Sequence, residues 1–452
     1  MSFVEIRGEK FYHCNQEIRF SGLGVGSWMN LEHFMLGIPT PESMIKEAFE
    51  ECFGKERQEK FWDKFVREFI REEDFRFMKK IGINLLRVPF NYHLFIDDNQ
   101  PDCLKEDGFL YFDYLLELCR KYKIFLMPDM HTVPGGENPD WHSDNKTGIP
   151  QFWHYKIFQE QVTELWKSIA ARYAEEEYLL GYDLLNEPFL MPAKNGKLQE
   201  FYEETTRAIR EVDKNHIIFL EGDFFAMDIS AISEIKDRNT AITFHFYPTV
   251  WEKNLGDEVY PRKQRQQVFE ERFAKMIGQM RQFKRPLLCG EAGYDIKGKN
   301  MKHVMELVED TLELFEKYQI SWTLWCYKDA CFMGLVYPEE NSLWMQFARE
   351  IEKEWTHYKE MDMGKSIITD IAKIFPGRVS QEILYELQFR QRAILFVFQK
   401  EQILKPLLKQ WGWEKVEKMP ESFAMQNCQY HECYKEVLAR YSWKDKPEYE
   451  NK

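Results

Sequence analysis

Short apolar, β-branched runs alternate along this chain with longer stretches whose apolar residues recur every three or four positions. The short runs predict strands at Phe20–Trp28, Ile83–Phe90, Ile124–His131, Leu179–Glu187, Ile217–Gly222, Ala241–Tyr247, Pro286–Glu291 and Ser321–Tyr327. The longer stretches, such as Phe61–Ile81, Gly108–Tyr122, Gln151–Ala174 and Lys197–Val212, predict amphipathic helices between them. A strand–helix unit repeated eight times predicts an α/β fold of the (β/α)8 (TIM) barrel type rather than an open doubly wound sheet. After Trp344 the rhythm changes. Asn341–Glu354 reads as the helix that closes the barrel. The rest of the chain reads as helix (Lys365–Ile374, Gln381–Leu404, Glu432–Tyr441) with no strand, punctuated by Pro376-Gly377, Pro406 and Met419-Pro420. The division expected is a barrel over residues 1–358 and a small helical C-terminal extension over 359–452.

The predicted strands are apolar inside and polar at their C-terminal ends. Arg87, His131, Asn186-Glu187, His245 with Tyr247, Glu291 and Trp325 all fall there. In a barrel that is the face on which chemistry is placed.

Composition narrows the partners. The formal charge of −14 speaks against a nucleic-acid phosphate backbone or an anionic membrane surface, both of which need Lys and Arg. No run of 18 apolar residues predicts a membrane span. Nine scattered cysteines suggest no disulfide framework. With the charged start Met1–Lys10, which lacks a signal-like apolar core, they lead to the expectation of a cytoplasmic protein. Aromatic residues make up 16% of the chain. Most must be core, but beside a site some can stack on the apolar C–H faces of sugar rings.

Cleaving a glycosidic bond takes two carboxyl groups flanking the anomeric carbon. Asn186-Glu187-Pro188 and Gly290-Glu291-Ala292 offer such a pair, three strands apart in the expected barrel. Arg87, His131, Asn186-Glu187, His245 with Tyr247, Glu291 and Trp325, in that order, resemble glycoside hydrolase family 5, in the clan of barrel β-glycosidases. The likeness spans roughly residues 15–350. It implies a retaining mechanism with Glu187 as acid/base and Glu291 as nucleophile, and calls for no cofactor and no metal. By the same resemblance Asn186 binds the sugar 2-hydroxyl, Arg87 and Tyr247 aim Glu291 and keep it ionised, His131 and His245 bind hydroxyls or steer the carboxylates, and Trp325 floors the cleaved subsite. Glu187 is then expected to have a raised pKa, pushed up by the charge of Glu291.

Two segments bear on substrate. Gly24–Glu32 (GVGSWMNLE) resembles the first-strand segment of the exo-β-glucanases and β-glucosidase-like members of that family, and Met130–Asn138 (MHTVPGGEN) their third-strand loop. The likeness implies that Glu32 and Asn138 grip the terminal sugar. Glu32 as a helix cap and Asn138 as a loop-stabilising turn are the structural alternatives. The expected activity is exo-acting release of a terminal sugar, most simply glucose, from a β-glucoside or short oligosaccharide. An endo-β-glucanase or mannanase is the alternative. Trp141, Phe224-Phe225 and Trp251 are further candidates for the cleft wall.

Other signals are weaker. Gly22-Leu23-Gly24-Val25-Gly26 lacks the spacing of a dinucleotide loop, and Cys428, His431 and Cys433 lack a partner pair for zinc. His142 and Asp144, near His131, raise a metal site that the resemblance does not need. The apolar stretch Tyr385–Phe398 needs covering, either by folding back on the barrel or by self-association.

Overall fold

The computed structural model describes residues 2–190, 196–355 and 380–443, with a few positions between 370 and 377. Eight parallel strands close into a barrel. They are Ser21–Gly24, Leu85–Asn91, Phe125–Thr132, Gly181–Asp183, Ile217–Glu221, Thr240–His245, Leu287–Glu291 and Ser321–Trp325. The eighth pairs with the first, Trp322 against Ser21 and Trp325 against Gly24. All eight expected strands are present, so the architecture is a (β/α)8 barrel. Several are shorter at the C-terminal end than their apolar runs suggested. The fourth stops at Asp183, leaving Leu184–Glu187 as irregular backbone at the rim.

Two of the first-strand glycines are dictated by a neighbour. A Cβ on Gly24 would lie 2.5 Å, and one on Gly26 2.3 Å, from atoms of the Trp325 indole. The glycine-rich segment exists so that a large ring can lie flat on the backbone, not to cradle phosphate.

The patterns missed three features. The N-terminal residues form a three-stranded antiparallel sheet (Glu5–Arg7, Lys10–His13, Gln16–Ile18). Its Val4 and Phe11 pack with Phe20, Leu85, Phe125, Met127, Leu180, Ile217 and Phe219, sealing the N-terminal end of the barrel. The helix expected over Phe61–Ile81 is two, Lys55–Phe69 and Glu72–Lys80. The chain turns extended at Ile70 (φ −125°, ψ 121°), and Asp74 accepts from the Arg71 amide (2.8 Å) to start the second helix. Its other oxygen takes the buried ammonium of Lys328 at 2.6 Å and the Tyr327 hydroxyl at 2.7 Å. A tertiary ion pair, invisible to periodicity, sets the break.

The third correction concerns the tail, where no strand was expected. Cys428–Tyr430 pairs antiparallel with Val336–Pro338 of the loop after the last barrel strand. Lys328 also donates to the Phe423 carbonyl at 2.9 Å. The helices Gln381–Phe398 and Glu432–Tyr441 form; the first continues through one π-type turn (Gln399–Leu404) into Lys405–Trp411. Most of the helix expected over 365–374, and the expected boundary at 358, lie outside the described residues. No helix among the described residues is long and apolar enough to cross a membrane.

Candidate active site

The residues expected at the strand ends converge on one cavity of about 1480 Å³, lined by Glu32, His131, Trp141, His142, Glu187, Tyr247, Glu291 and Trp325 among others. Arg87 lies beneath it, fully buried on the second strand. Its guanidinium donates to Glu291 Oε1 (2.7 Å), Asn186 Oδ1 (2.9 Å), Asp183 Oδ2 (2.9 Å) and Glu221 Oε1 (3.1 Å), and sits 3.2 Å from Asp129. Five partners, four on other barrel strands and Asn186 just beyond the fourth, read one planar fork, a geometry only Arg supplies. Burial works against the Arg87 charge, but the surrounding carboxylates hold its pKa well above the ordinary value. Asp183, pressed in the same cluster, is pushed well upward by burial and by Glu221.

Glu291 is held from both sides. Arg87 fixes Oε1, and the Tyr247 hydroxyl donates to Oε2 at 2.8 Å. Burial and the charge of Glu291 raise the Tyr247 pKa well above its usual value, so the phenol stays a donor.

Glu187 stands opposite, with φ at +51°. A non-glycine residue in the left-handed region costs free energy and persists where packing imposes it. Here the Glu187 amide donates to Glu221 Oε2 (2.6 Å) and its carbonyl accepts from Asn138 Nδ2 (3.2 Å). One side-chain oxygen lies 2.7 Å from His245 Nδ1 and the other 3.1 Å from His142 Nε2. Oxygens of Glu187 and Glu291 and a ring nitrogen of His245 all fall within 4.8 Å of one another.

The expected upward shift of Glu187 is overturned. Burial does push its carboxyl up, but hydrogen bonds from His142 and His245, and their positive charge, outweigh it and hold the group below the usual carboxylate range. The histidines carry the protons instead. For His245, burial opposes the charge, yet Glu291, Glu221 and Glu187 keep its pKa well above the ordinary value. For His142 burial again opposes, and Glu187 raises the pKa to about 9.

His131 donates through Nδ1 to Asp129 (2.7 Å) and places Nε2 3.3 Å from Asn186 Nδ2 and 3.4 Å from Glu32. Its ring lies parallel to the Trp325 indole, centroids 5.6 Å apart. Glu32 is buried and faces the cavity. Burial raises its pKa, partly offset by His131, whose Nε2 is the ion-pair partner of Oε1.

Asn138 is held within its own loop. It is fully buried and spends its amide on Glu137 and on the Glu187 carbonyl, with His142 Nε2 3.0 Å away, while its oxygen accepts from the Asp140 amide. It is not among the residues that line the cavity, and these bonds are those of the loop-stabilising alternative. Trp141 does line it. Phe224 and Phe225 lie in a left-handed turn with Ala226, all three at φ 56–60°; Phe225 packs on Phe189 (4.9 Å) rather than on the cavity. The side chain of Trp251 is outside the described residues.

Sequence reasoning missed Asp129, Asp183 and Glu221, which build the Arg87 cage, and treated His142 only as a doubtful metal ligand. Glu221 had a legible signal, an acid closing the apolar run IIFL. His142 had none, since a long loop carries it to Glu187.

A family-wide comparison matches residues 47–330 to Cellulase (glycosyl hydrolase family 5). A Beta-xylosidase of Phanerodontia chrysosporium is 30% identical over 97% of this chain and 98% of its own length. The chain belongs to glycoside hydrolase family 5. Endoglucanase C of Acetivibrio thermocellus is 29% identical over 40% of this family 5 chain and half of its own. The barrel superposes on Thermotoga maritima Cel5A, crystallised with mannotriose, with a TM-score of 0.52 and 19% identity, covering 70% of this chain and 92% of that one. This family 5 enzyme is a glycoside hydrolase acting on β-glycosides.

Proposed function

We propose that the enzyme is an exo-acting, retaining β-glycosidase in which Glu291 is the nucleophile and Glu187 the acid/base. The observation that carries the mechanism is the approach of the two carboxylates, with oxygens within 4.8 Å. Retaining enzymes hold their carboxyls about 5–5.5 Å apart, whereas inverting ones leave about 6.5–9.5 Å for a water. The surroundings support the division of labour. Arg87 and Tyr247 both donate to Glu291, which fixes both of its oxygens and aims it. Glu187 has imidazoles on both sides, so a proton is always within one hydrogen bond.

In the first step Glu187 protonates the leaving oxygen while Glu291 attacks the anomeric carbon. In the second, Glu187 takes a proton from water, whose oxygen displaces Glu291. Asn186, fixed by Arg87 and His131, meets the 2-hydroxyl; Trp325 is the floor of the cleaved subsite.

Exo action on a terminal sugar is supported by Glu32, a buried carboxylate on the cavity wall beside His131, which suits a sugar hydroxyl. The relative aligned end to end is named a beta-xylosidase, whereas the endoglucanase aligns over less than half of the chain. Glucose is the sugar proposed. That relative is the specific reason to weigh xylose, which lacks the exocyclic CH2OH. A cytoplasmic place of action belongs to the same reading, supported by nine cysteines that are all free.

The test is a panel of p-nitrophenyl α- and β-glycosides, including the β-glucoside and β-xyloside, on wild type and Glu291→Gln. Release from one β-glycoside, lost in Glu291→Gln, supports the reading and names the sugar. Turnover of a β-glucan polymer with silence across the panel overturns exo action.

A further inference from the structure

The helix Gln381–Phe398, far outside the barrel in sequence, lies against the loop that carries His142. Arg392 Nη1 donates to Asp140 Oδ1 at 2.6 Å, and its guanidinium stacks 4.8 Å above the Trp141 ring. Phe396 stacks on Trp141, centroids 5.7 Å apart. Phe389 packs near Phe189 and Phe225 (6.3 and 6.4 Å), and the chain at Gly148 runs so close to the Phe389 backbone that a Cβ there would lie 2.6 Å from its carbonyl. Asp140 in turn accepts from the Trp141 amide at 2.8 Å and starts the single turn Trp141–Ser143. His142 stands in that turn. Its carbonyl accepts from Asn30 Nδ2 at 3.1 Å, and its ring reaches Glu187.

Resting on the reading of Glu187 as acid/base, we propose that the C-terminal helix is a working part of the active site: by clamping Asp140 and Trp141 it sets His142 as the residue that stores and returns the proton of Glu187. His142 is a positioning and proton-holding residue and touches no substrate in this scheme. In the transfer, the N–H bond at His142 Nε2 breaks and an O–H bond forms at Glu187 Oε2, across 3.1 Å. The imidazolium becomes neutral and the carboxylate becomes the acid that the leaving oxygen needs. Asn138 Nδ2 lies 3.0 Å from the same ring nitrogen and, through its bond to the Glu187 carbonyl, holds the two partners of the transfer together.

The charged groups that face His142 come from several elements. They are Glu187 after the fourth strand, Asp140 and Glu137 in its own loop, His131 on the third strand and Glu32 after the first. Arg392 acts through Asp140. Acids outnumber bases around the ring, which favours the stored proton.

The experiment compares wild type, His142→Gln, Arg392→Met and Arg392→Lys on two β-glycosides of one sugar that wild type cleaves. One carries 2,4-dinitrophenol, which departs without a proton, and the other an alkyl alcohol, which does not. The readout is kcat/KM against pH. For His142→Gln the basic limb on the alkyl glycoside is expected to fall by about one pH unit or more, with activity above neutrality down at least ~10-fold, and the dinitrophenyl glycoside is expected to lose clearly less. Arg392→Met shifts the limb in the same direction and Arg392→Lys recovers part of it. If Arg392→Met lacks the native circular dichroism, Phe396→Ala takes its place. An unmoved basic limb in His142→Gln, or equal losses on both leaving groups, overturns the proposal. A wild type that cleaves no β-glycoside overturns the underlying functional reading instead, so the two failures are distinct.

Discussion

Glu187→Ala gives a decisive reading of the two carboxylates. The side chain removed lies between His142 and His245 on the wall facing Glu291. On an alkyl glycoside the variant loses general acid catalysis, a factor of about 10²–10⁴, or roughly 3–5 kcal/mol of barrier. On a 2,4-dinitrophenyl glycoside the first step survives, because that leaving group needs no proton, and the glycosyl-enzyme accumulates because no base activates water. The space vacated is bordered by the His245 imidazole, whose pKa Glu291 and Glu221 still hold up, and that charge attracts a small anion. Azide should therefore enter, need no base, and attack the intermediate from the face Glu187 occupied. The product is a β-glycosyl azide, of the same configuration as the substrate, with turnover restored. In Glu291→Ala azide attacks directly from the opposite face and gives the α-azide. Proton NMR of the anomeric signal distinguishes the two. An α-azide from Glu187→Ala would reverse the roles of the glutamates, and full activity of Glu187→Ala on the alkyl glycoside would remove it from acid catalysis.

Three further outcomes are expected. Lys328→Met leaves Asp74 and the carbonyls of Phe69 and Phe423 without their buried donor, at a cost of about 3–5 kcal/mol; with an unfolding entropy near 2 cal/mol/K per residue, Tm falls by about 3–5 °C in calorimetry, and an unchanged Tm would mean that the ion pair contributes nothing. Gly26→Ala drives a methyl into the Trp325 ring; we expect ~1–3 kcal/mol of destabilisation and a raised KM, and unchanged values of both would show that the indole does not rest on this backbone. The His142 pKa is raised by folding from an ordinary 6.5 to about 9, so its contribution to stability is complete below about pH 6.5 and is lost as pH rises through 9. Thermal melts should show wild type losing more stability than His142→Gln across that window, and parallel curves would refute the assignment.

The strands were legible because they are buried on both faces and read as mainly apolar runs, broken only by the polar residues of the site. The catalytic pair was legible because strand ends are fixed relative to the barrel, so sequence order maps onto position around the mouth. The features that escaped depend on contacts between distant segments. Ile70 breaks a helical pattern because Asp74 is needed by Lys328, some 250 residues on. His142 is a lone histidine in a loop until Arg392 and Asp140 aim it. Glu187 was expected to be pushed up by its fellow carboxylate, whereas the nearer imidazoles decide the sign. The N-terminal strands, only three or four residues each and half exposed, leave too short an alternation to register.

The ladder between Val336–Pro338 and Cys428–Tyr430, with the bond from Lys328 to Phe423, has a consequence for how the molecule is made. On the ribosome the last barrel strand is finished when Trp325 emerges, about a hundred residues ahead of the segment that supplies those partners. At roughly 5–20 residues per second that interval is on the order of 5–20 s. Throughout it the nascent barrel carries an ammonium short of one acceptor and a β-edge open to neighbouring chains. Early collapse of the barrel is thus held short of its final form until its own tail arrives, and a nascent chain stalled in this window is the species on which chaperones would act.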